Sequence, residues 1–571
     1  MTFLLAYVGP GAGFAFLGSF LTIAIALALS GVSLLIWPFR VVLRALRGAR
    51  GRGRARVRKA IFLGLDGLDP RITERLMAEG KLPNLARLKE QGGFRRLRTT
   101  FPALSPVAWS TFATGVSPAR HNIFDFLNRD LRSYLPELSS SKVRPPRKFW
   151  KLGRYRIPLD RPSAELRRKS KPFWKILGEH QVGCTILRVP ISFPPEKFNG
   201  RLLSAMCTPD LKGTQGSFSH FTTRPNKAEY TGGAAFPLQR AGEWLEGAIE
   251  GPDDVFTEPG GPLRVPFRLY PSKDGATLRI EGRKYRLREG EYSPWVPLTF
   301  KTGLGVKAHG MVRFLITETG PEFSLYATPV NIDPGKPALP ISHPGYYAVY
   351  LAKLLGSFAT LGMAEDTWAL NEGVIDRKAF LDQAYLTHAE REAMFLSALE
   401  RMRHGVVACV FDATDRVQHM FHDCESTIED LYRRADELVG KTLPFVDDKT
   451  ALFVLSDHGF ASFRRGVNLN TWLHRNGYLA LKDGAAESKP GFAGVDWSRT
   501  KAYALGLSGL YLNVKGRESG GIVPPREAAA LEDELARQLS GLRDEERDAV
   551  AIREAYRSEE HTSELQSLSH L

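Results

Sequence analysis

Three short apolar runs end on an aspartate, and the rest of the chain is organised around them. Ala60-Ile61-Phe62-Leu63-Gly64-Leu65 stops at Asp66-Gly67. Gly405 to Phe411 stops at Asp412, and Thr450 to Ser456 stops at Asp457-His458-Gly459. Continuous apolar runs of this length, closed by polar residues, predict strands buried on both faces of a parallel sheet. Val182 to Arg188 has the same character. Helical segments are expected over Pro70 to Gly92, Phe173 to Gly178 and Ala379 to Glu400. Alternation of this kind predicts an α/β fold with a mostly parallel central sheet flanked by helices. Such sheets bind ligands at the carboxyl ends of their strands, which is where the aspartates stand.

The pattern changes from about Ser217 to Ser342. Gly and Pro become frequent, and short β-like runs replace the alternation of strand and helix. Glu281-Gly282-Arg283 predicts a hairpin turn between two of them. The expected organisation is an α/β domain in two parts, 60–216 and 346–556, separated by a β-rich insertion or cap, 217–345. Glu365 and Asp366 read as a solvated turn in preference to site residues. Thr208-Pro209-Asp210 reads as a shaper of the site or, at least as readily, as a turn cap.

Charge and hydropathy add a segment in front of the domain. Phe14 to Trp37 is 24 residues without a charge, roughly 36 Å as a helix and enough to cross a bilayer. A transmembrane anchor, 1–39, is favoured over a signal peptide, because no basic residue precedes the run and no small-residue cleavage site follows. Arg40 to Lys59 holds nine basic residues and no acid, a polybasic juxtamembrane linker. The positive-inside rule places it, and the bulk of the chain, on the cytoplasmic side. Lys142 to Lys171 is also basic and is interrupted by prolines. It reads as a solvated surface loop in preference to a contact with anionic lipid headgroups or an acidic substrate. Together these stretches account for more than the whole net charge of +16, so the core is not basic and nucleic acid is not an expected partner. Four cysteines, Cys184, Cys207, Cys409 and Cys424, lack paired spacing and predict structural thiols.

The candidate chemistry sits at the strand ends. Asp415 and His419 are four residues apart, a spacing that puts both on one helix face and lets them share a divalent ion. Asp412 is the nearest rival ligand, and His422 and Asp423 are weaker ones. Asp457-His458 follows a strand directly, with Gly459 permitting close backbone approach. Ser105 opens a helical stretch after Phe101-Pro102, and a helix start favours an anion.

Asp66-Gly67, Pro83-Asn84-Leu85 with Leu88, Phe101-Pro102 with Ser105, Thr114-Gly115 and His121 resemble, in order and spacing, the alkaline phosphatase superfamily in its type I phosphodiesterase/nucleotide pyrophosphatase branch. The resemblance covers Ala60 to about Gly213 and Tyr346 to about Gly521. It implies an alkaline phosphatase-like fold and two divalent metal ions, Zn²⁺ with Mn²⁺ as the alternative. One would be held by Asp66, Asp457 and His458 with Ser105, the other by Asp415 and His419. It further implies Ser105 as nucleophile, a phospho-serine intermediate, and a phosphoester substrate, nucleotide or lipid-linked. A phosphoryl transferase acting on lipid or glycan headgroups is the nearest alternative. A non-catalytic membrane-anchored binding protein on the same fold is the second.

Two departures matter. Many nucleotide pyrophosphatases carry an Asn-His pair soon after the nucleophile, where this chain has Ala108 and Trp109, so nucleotide specificity is not implied. The Arg of the sulfatase signature is missing as well. The family's second metal also takes a His from near the C-terminus. Here Arg557 to Ser567 resembles translated adapter sequence, so 557–571 is expected to be non-native, and His561 and His570 are not candidate ligands. An incomplete second metal site is expected, with neither His309 nor His343 supplying the missing ligand.

Overall fold

A computed structural model describes residues 56–557, without 161, 226–228, 304 and 484–491, together with Ile36. The expected membrane anchor and most of its basic linker lie outside the described residues, as does 558–571. Among the described residues, no helix is long and apolar enough to cross a membrane.

The centre is a six-stranded sheet. Its strands are β1 (Lys59–Leu65), β2 (Cys184–Leu187), β3 (Gly200–Leu203), β4 (Ser342–His343), β5 (Gly405–Phe411) and β6 (Thr450–Leu455). They lie in the order β4-β3-β2-β5-β1-β6, parallel throughout except for β4. Both faces are covered, and the pleat sorts the side chains between them. Ile61, Leu63, Leu65, Val407, Cys409 and Phe411 enter one apolar cluster. The alternate residues Val406, Ala408 and Val410 enter another, with Trp109 and Trp174. The third acid-terminated run was expected to be buried on both faces. It is instead the edge strand β6, with Phe453 49% exposed. Its apolar face is used by stacking Phe453 on Phe62 at 4.9 Å.

Register positions the chemistry. β1 pairs Lys59 with Gly405 and Leu65 with Phe411 on one side. On the other it pairs Lys59 with Thr450 and Gly64 with Leu455. The three runs therefore finish at one level, and Asp66, Asp412 and Asp457 emerge together.

The helical stretch Pro70 to Gly92 is two helices, α1 (Pro70–Ala78) and α2 (Pro83–Gln91). Gly80 breaks them at φ +73°, and Pro83 starts the second with its fixed φ. The helix after the Phe-Pro loop is α3 (Ser105–Thr114), closed by Gly115 in the left-handed region. α4 (Phe173–Glu179) leads into β2. α5 (Arg377–Glu400), capped by Asp376, precedes β5. α6 (Ala413–Phe421) and α7 (Glu425–Thr442) follow it.

The insertion is β-rich, as its composition predicts. Five antiparallel strands run from Gln239–Ala241 to Arg283–Arg288. The expected hairpin is present: Ile280 pairs Arg283 across Glu281 at φ +46° and Gly282 at φ +77°. Glu390 of α5 ties the insertion to the sheet domain. It accepts hydrogen bonds from Trp295 Nε1 (2.7 Å), Arg313 Nη2 (2.8 Å) and the Ala359 N–H (2.8 Å). The basic stretch expected to be a loop instead forms two small antiparallel pairs. Ser141–Arg144 joins Ser163–Leu166, and Phe149–Leu152 joins Tyr155–Pro158. Pro158 lies at a strand end, where a missing N–H costs little. All four cysteines are free thiols, three of them buried.

Candidate active site and metal centre

Asp66 leaves β1 with its N–H bonded to the Phe411 carbonyl at 2.9 Å. Gly67 turns at φ +68°, and its N–H donates to Asp457 Oδ1 at 3.1 Å. A Cβ here would lie 3.1 Å from Asp415 Oδ1 and 3.2 Å from its Cα. Glycine is therefore favoured twice over, by conformation and by the close approach of Asp415. The first turn of α6 is fastened to the same point. Thr414 Oγ1 donates to the Asp66 carbonyl (2.5 Å) and Gln418 Nε2 to the Gly67 carbonyl (2.8 Å).

Asp457, His458 and Asp66 converge. Each offers one ligand atom, and the three atoms lie within 4.8 Å of one another. His458 Nδ1 is 2.8 Å from the Gly459 carbonyl. A carbonyl only accepts, so Nδ1 carries the proton and Nε2 presents its lone pair to the group. Gly459 is needed as a glycine because a Cβ would meet Asp69 Oδ2 at 2.7 Å. Asp69 caps α1 and also accepts the Phe460 N–H at 3.1 Å, holding this loop in place.

Ser105 is the first residue of α3 and is 6% exposed. Its hydroxyl is 3.1 Å from Asp66 Oδ1 and 3.0 Å from His458 Nε2. The other Asp66 oxygen accepts the Trp109 indole N–H at 3.0 Å. Backbone donors at this helix end are few: Pro106 has none, and the Val107 and Ala108 N–H groups bond to the Leu104 carbonyl. His121 serves the far end of α3. It is fully buried, lies 2.9 Å from Thr111 Oγ1, and is pushed down to about 3 by burial and Arg168.

Asp415 and His419 share a face of α6, with Oδ1 and Nε2 3.4 Å apart. Two of the three rival ligands are engaged in ion pairs, whereas His422 Nδ1 is buried without a hydrogen-bond partner. Asp412 pairs with Arg391 Nη1 at 2.5 Å, and Asp423 pairs with Arg377 at 2.8 Å. His419 and His422 flank the Phe460 ring, at 4.9 and 5.5 Å. His343 bonds the Phe198 carbonyl, and His309 lies in a strand of the insertion. Among the described residues, Asp66, Asp457 and His458 form the one group of three with metal-holding spacing.

The electrostatics fit a cation. Burial, and then the charges of Asp457, Asp415 and Asp412, push Asp66 well above the usual carboxylate range. Asp457 is raised by burial against the help of His458 and the Gly67 N–H. Burial also opposes the Asp415 charge, yet His419, Arg416 and His458 hold that group below its ordinary value. Asp457 Oδ2 and Asp415 Oδ1 are buried without a hydrogen-bond partner. Crowded carboxylates with unpartnered oxygens beside an imidazole lone pair suit a divalent ion of mixed N/O preference.

Behind this group lies a buried network that was expected to be a solvated turn. Glu365 is 3% and Asp366 8% exposed. Asp366 caps the helix Thr367–Asn371 and accepts the Tyr326 hydroxyl at 2.7 Å. Glu365 is pushed up to about 7 by burial and Asp412, against Arg391 and Arg416. Local sequence around 365 does not show this burial, because the residues that cover the pair come from α5, α6 and the strand Ser324–Ala327 that carries Tyr326. Asp210 is a turn cap, accepting from the Thr214 N–H and hydroxyl.

No curated protein and no solved structure matches the chain. The sequence model of one family, described as type I phosphodiesterase / nucleotide pyrophosphatase, matches residues 60–231 and 286–569. The residues between the two matched blocks, 232–285, fall inside the β-rich insertion. The matched part is well over half of the chain and carries every strand of the central sheet and every residue of the candidate group. This chain belongs to the type I phosphodiesterase/nucleotide pyrophosphatase family.

Proposed function

We propose that the protein is a metal-dependent phosphoester hydrolase with Ser105 as nucleophile. The observation that carries this reading is the Ser105 hydroxyl at a helix start, within 3.1 Å of both Asp66 and His458. Asp66, Asp457 and His458 would hold one divalent cation, and Asp415 with His419 would contribute to a second. Zn²⁺ is the first choice for these ligands and Mn²⁺ the second. Such a cation supplies Lewis-acid stabilisation of phosphoryl oxygens and lowers the pKa of a bound hydroxyl or water.

The chain's own part is positioning and proton control. Asp66 Oδ1 and His458 Nε2 would be occupied as metal ligands, so they orient Ser105 Oγ, while its proton passes to solvent as Oγ forms its bond to phosphorus. The ester oxygen leaves as the alcohol with a proton from solvent, giving phospho-Ser105, and water then breaks the bond between Oγ and phosphorus, restoring the serine hydroxyl and releasing phosphate or a phosphomonoester. The α3 dipole favours the anion at Ser105. With few free N–H groups at that end and carboxylates around Ser105, bound cations would carry most of the phosphoryl charge. The apolar stretch Phe14 to Trp37 extends the proposal to a membrane-anchored enzyme, which carbonate extraction of membranes tests: release of the protein into the soluble fraction sinks the anchor.

The test of function is hydrolysis of bis-p-nitrophenyl phosphate by the full chain with Zn²⁺ or Mn²⁺. Ser105→Ala should reduce kcat by at least about 10³-fold while metal content is retained. Undiminished hydrolysis by Ser105→Ala overturns the assignment of the nucleophile.

A further inference from the structure

We infer that Trp109 is a positioning residue for Asp66, and that Gly64 is a glycine in order to admit it. This rests on the reading that Asp66 holds a metal. The two oxygens of Asp66 are divided between two tasks. Oδ1 lies 3.1 Å from Ser105 Oγ and 3.6 Å from His458 Nε2, within the ligand group. Oδ2 accepts the Trp109 indole N–H at 3.0 Å. Both residues have 0% exposure, so water does not compete for that oxygen. An indole N–H is a donor only, so nothing about this partner changes with ligand or pH. Trp109 thus leaves Asp66 a single oxygen to offer, pointed at Ser105.

The indole is itself held by shape. Trp109 is four residues after Ser105, on the same face of α3. Its ring meets Phe112 edge-on at 5.5 Å and lies directly over β1. A Cβ on Gly64 would come within 2.5 Å of Trp109 Cη2 and 3.1 Å of Cζ3, and within 2.9 Å of Val410 Cγ2. Glycine weakens a buried strand and marks close approach. Here the approaching group is the ring that orients the aspartate two residues later. His458 has a comparable partner in the Gly459 carbonyl. Hydrogen bonds of this kind to metal ligands are worth about 10- to 100-fold in metal affinity.

The experiment is a calorimetric titration of the metal-free full chain with Zn²⁺, comparing wild type, Trp109→Phe, Gly64→Ala and Trp174→Phe. Thermal unfolding of each metal-free protein is measured alongside. Trp109→Phe keeps the ring and removes the donor, and should weaken the tighter Zn²⁺ equivalent about 10- to 100-fold. Gly64→Ala keeps the donor but displaces the ring, and should act in the same direction. Trp174 is fully buried in the same apolar cluster, and its indole N–H has no partner. Trp174→Phe should therefore change thermal stability without changing Zn²⁺ affinity. If Trp109→Phe lowers stability but leaves Zn²⁺ affinity within about twofold of wild type, the role is packing alone and the inference falls. If Trp109→Phe does not fold, Gly64→Ala decides by the same readout. A wild type that binds Zn²⁺ but cleaves no phosphoester overturns the proposed hydrolase and leaves this test intact.

Discussion

The two candidate metal subsites are built differently. At the first, the side chains of Asp66, Asp457 and His458 are 0, 1 and 14% exposed. Each also has a fixed partner on its other polar atom: the Trp109 indole, the Gly67 N–H and the Gly459 carbonyl. At the second, Asp415 is buried but the His419 side chain is 56% exposed. The first subsite is assembled from the ends of two strands and set by sheet register. The second is one face of one helix, open to solvent on one side. Pre-organised ligands spend little entropy on binding, so the first subsite should hold metal more tightly.

The largest effect should come from Asp457→Ala. It removes a ligand held by backbone and leaves Asp66 and His458 without their third partner. Loss of the tighter metal equivalent is expected by elemental analysis after gel filtration, together with loss of phosphoesterase activity. His419→Ala should leave that equivalent in place and remove the weaker one. Equal losses from the two substitutions would abolish the distinction between the subsites.

A middle-sized effect should come from Gly67→Ala, which touches both subsites. The left-handed backbone and the 3.1 Å approach to Asp415 Oδ1 predict a destabilisation of about 1–3 kcal/mol, read from denaturant unfolding. Because the added methyl presses on Asp415, the weaker metal equivalent should suffer more than the tighter one. An unchanged unfolding midpoint would show that the turn adapts.

The smallest effect concerns the buried charges behind the subsites. Glu365 is pushed up to about 7 from a model-compound value of 4.5, by burial and by Asp412. The folded protein therefore binds this proton more tightly than the unfolded chain does. Its contribution to stability is fully present below about pH 4.5 and is lost as pH rises through about 7. In the metal-free protein, Glu365→Gln should flatten the decline of Tm across that window. A decline identical to wild type would assign it to other groups.

Local sequence was enough for the strands and for several residues of the candidate site. A buried parallel strand needs an unbroken apolar run, and its end is marked by the first polar residue, so Asp66, Asp412 and Asp457 were legible as strand-end acids. The Glu281-Gly282 turn was legible from Gly282, which accepts positive φ without a steric cost, and not from Glu281. The character of β6 was not. Whether an apolar strand is central or at an edge depends on which neighbours pair with it, and among the described residues β6 has one neighbour. The small β pairs in the basic stretch were also missed. Charged residues are ordinary on exposed two-stranded ribbons, and composition there favours a loop.

The sequence by itself determined the alternation of strand and helix, the β-rich character of the insertion, the presence of Ser105, Asp457 and His458 at element boundaries, and the placing of Asp415 and His419 on one helix face. Tertiary structure decided which of these residues meet. In-register pairing of β1 with β5 and β6 brings residues nearly 400 positions apart to one level, and hydrogen bonds across that gap hold Gly67 to Asp457. It also decided that Asp412 belongs to Arg391, that Glu365 is buried, and that Trp109 holds the second oxygen of Asp66. Each of these depends on a contact between elements distant in the chain, and the periodicity of a single segment carries no information about its partner.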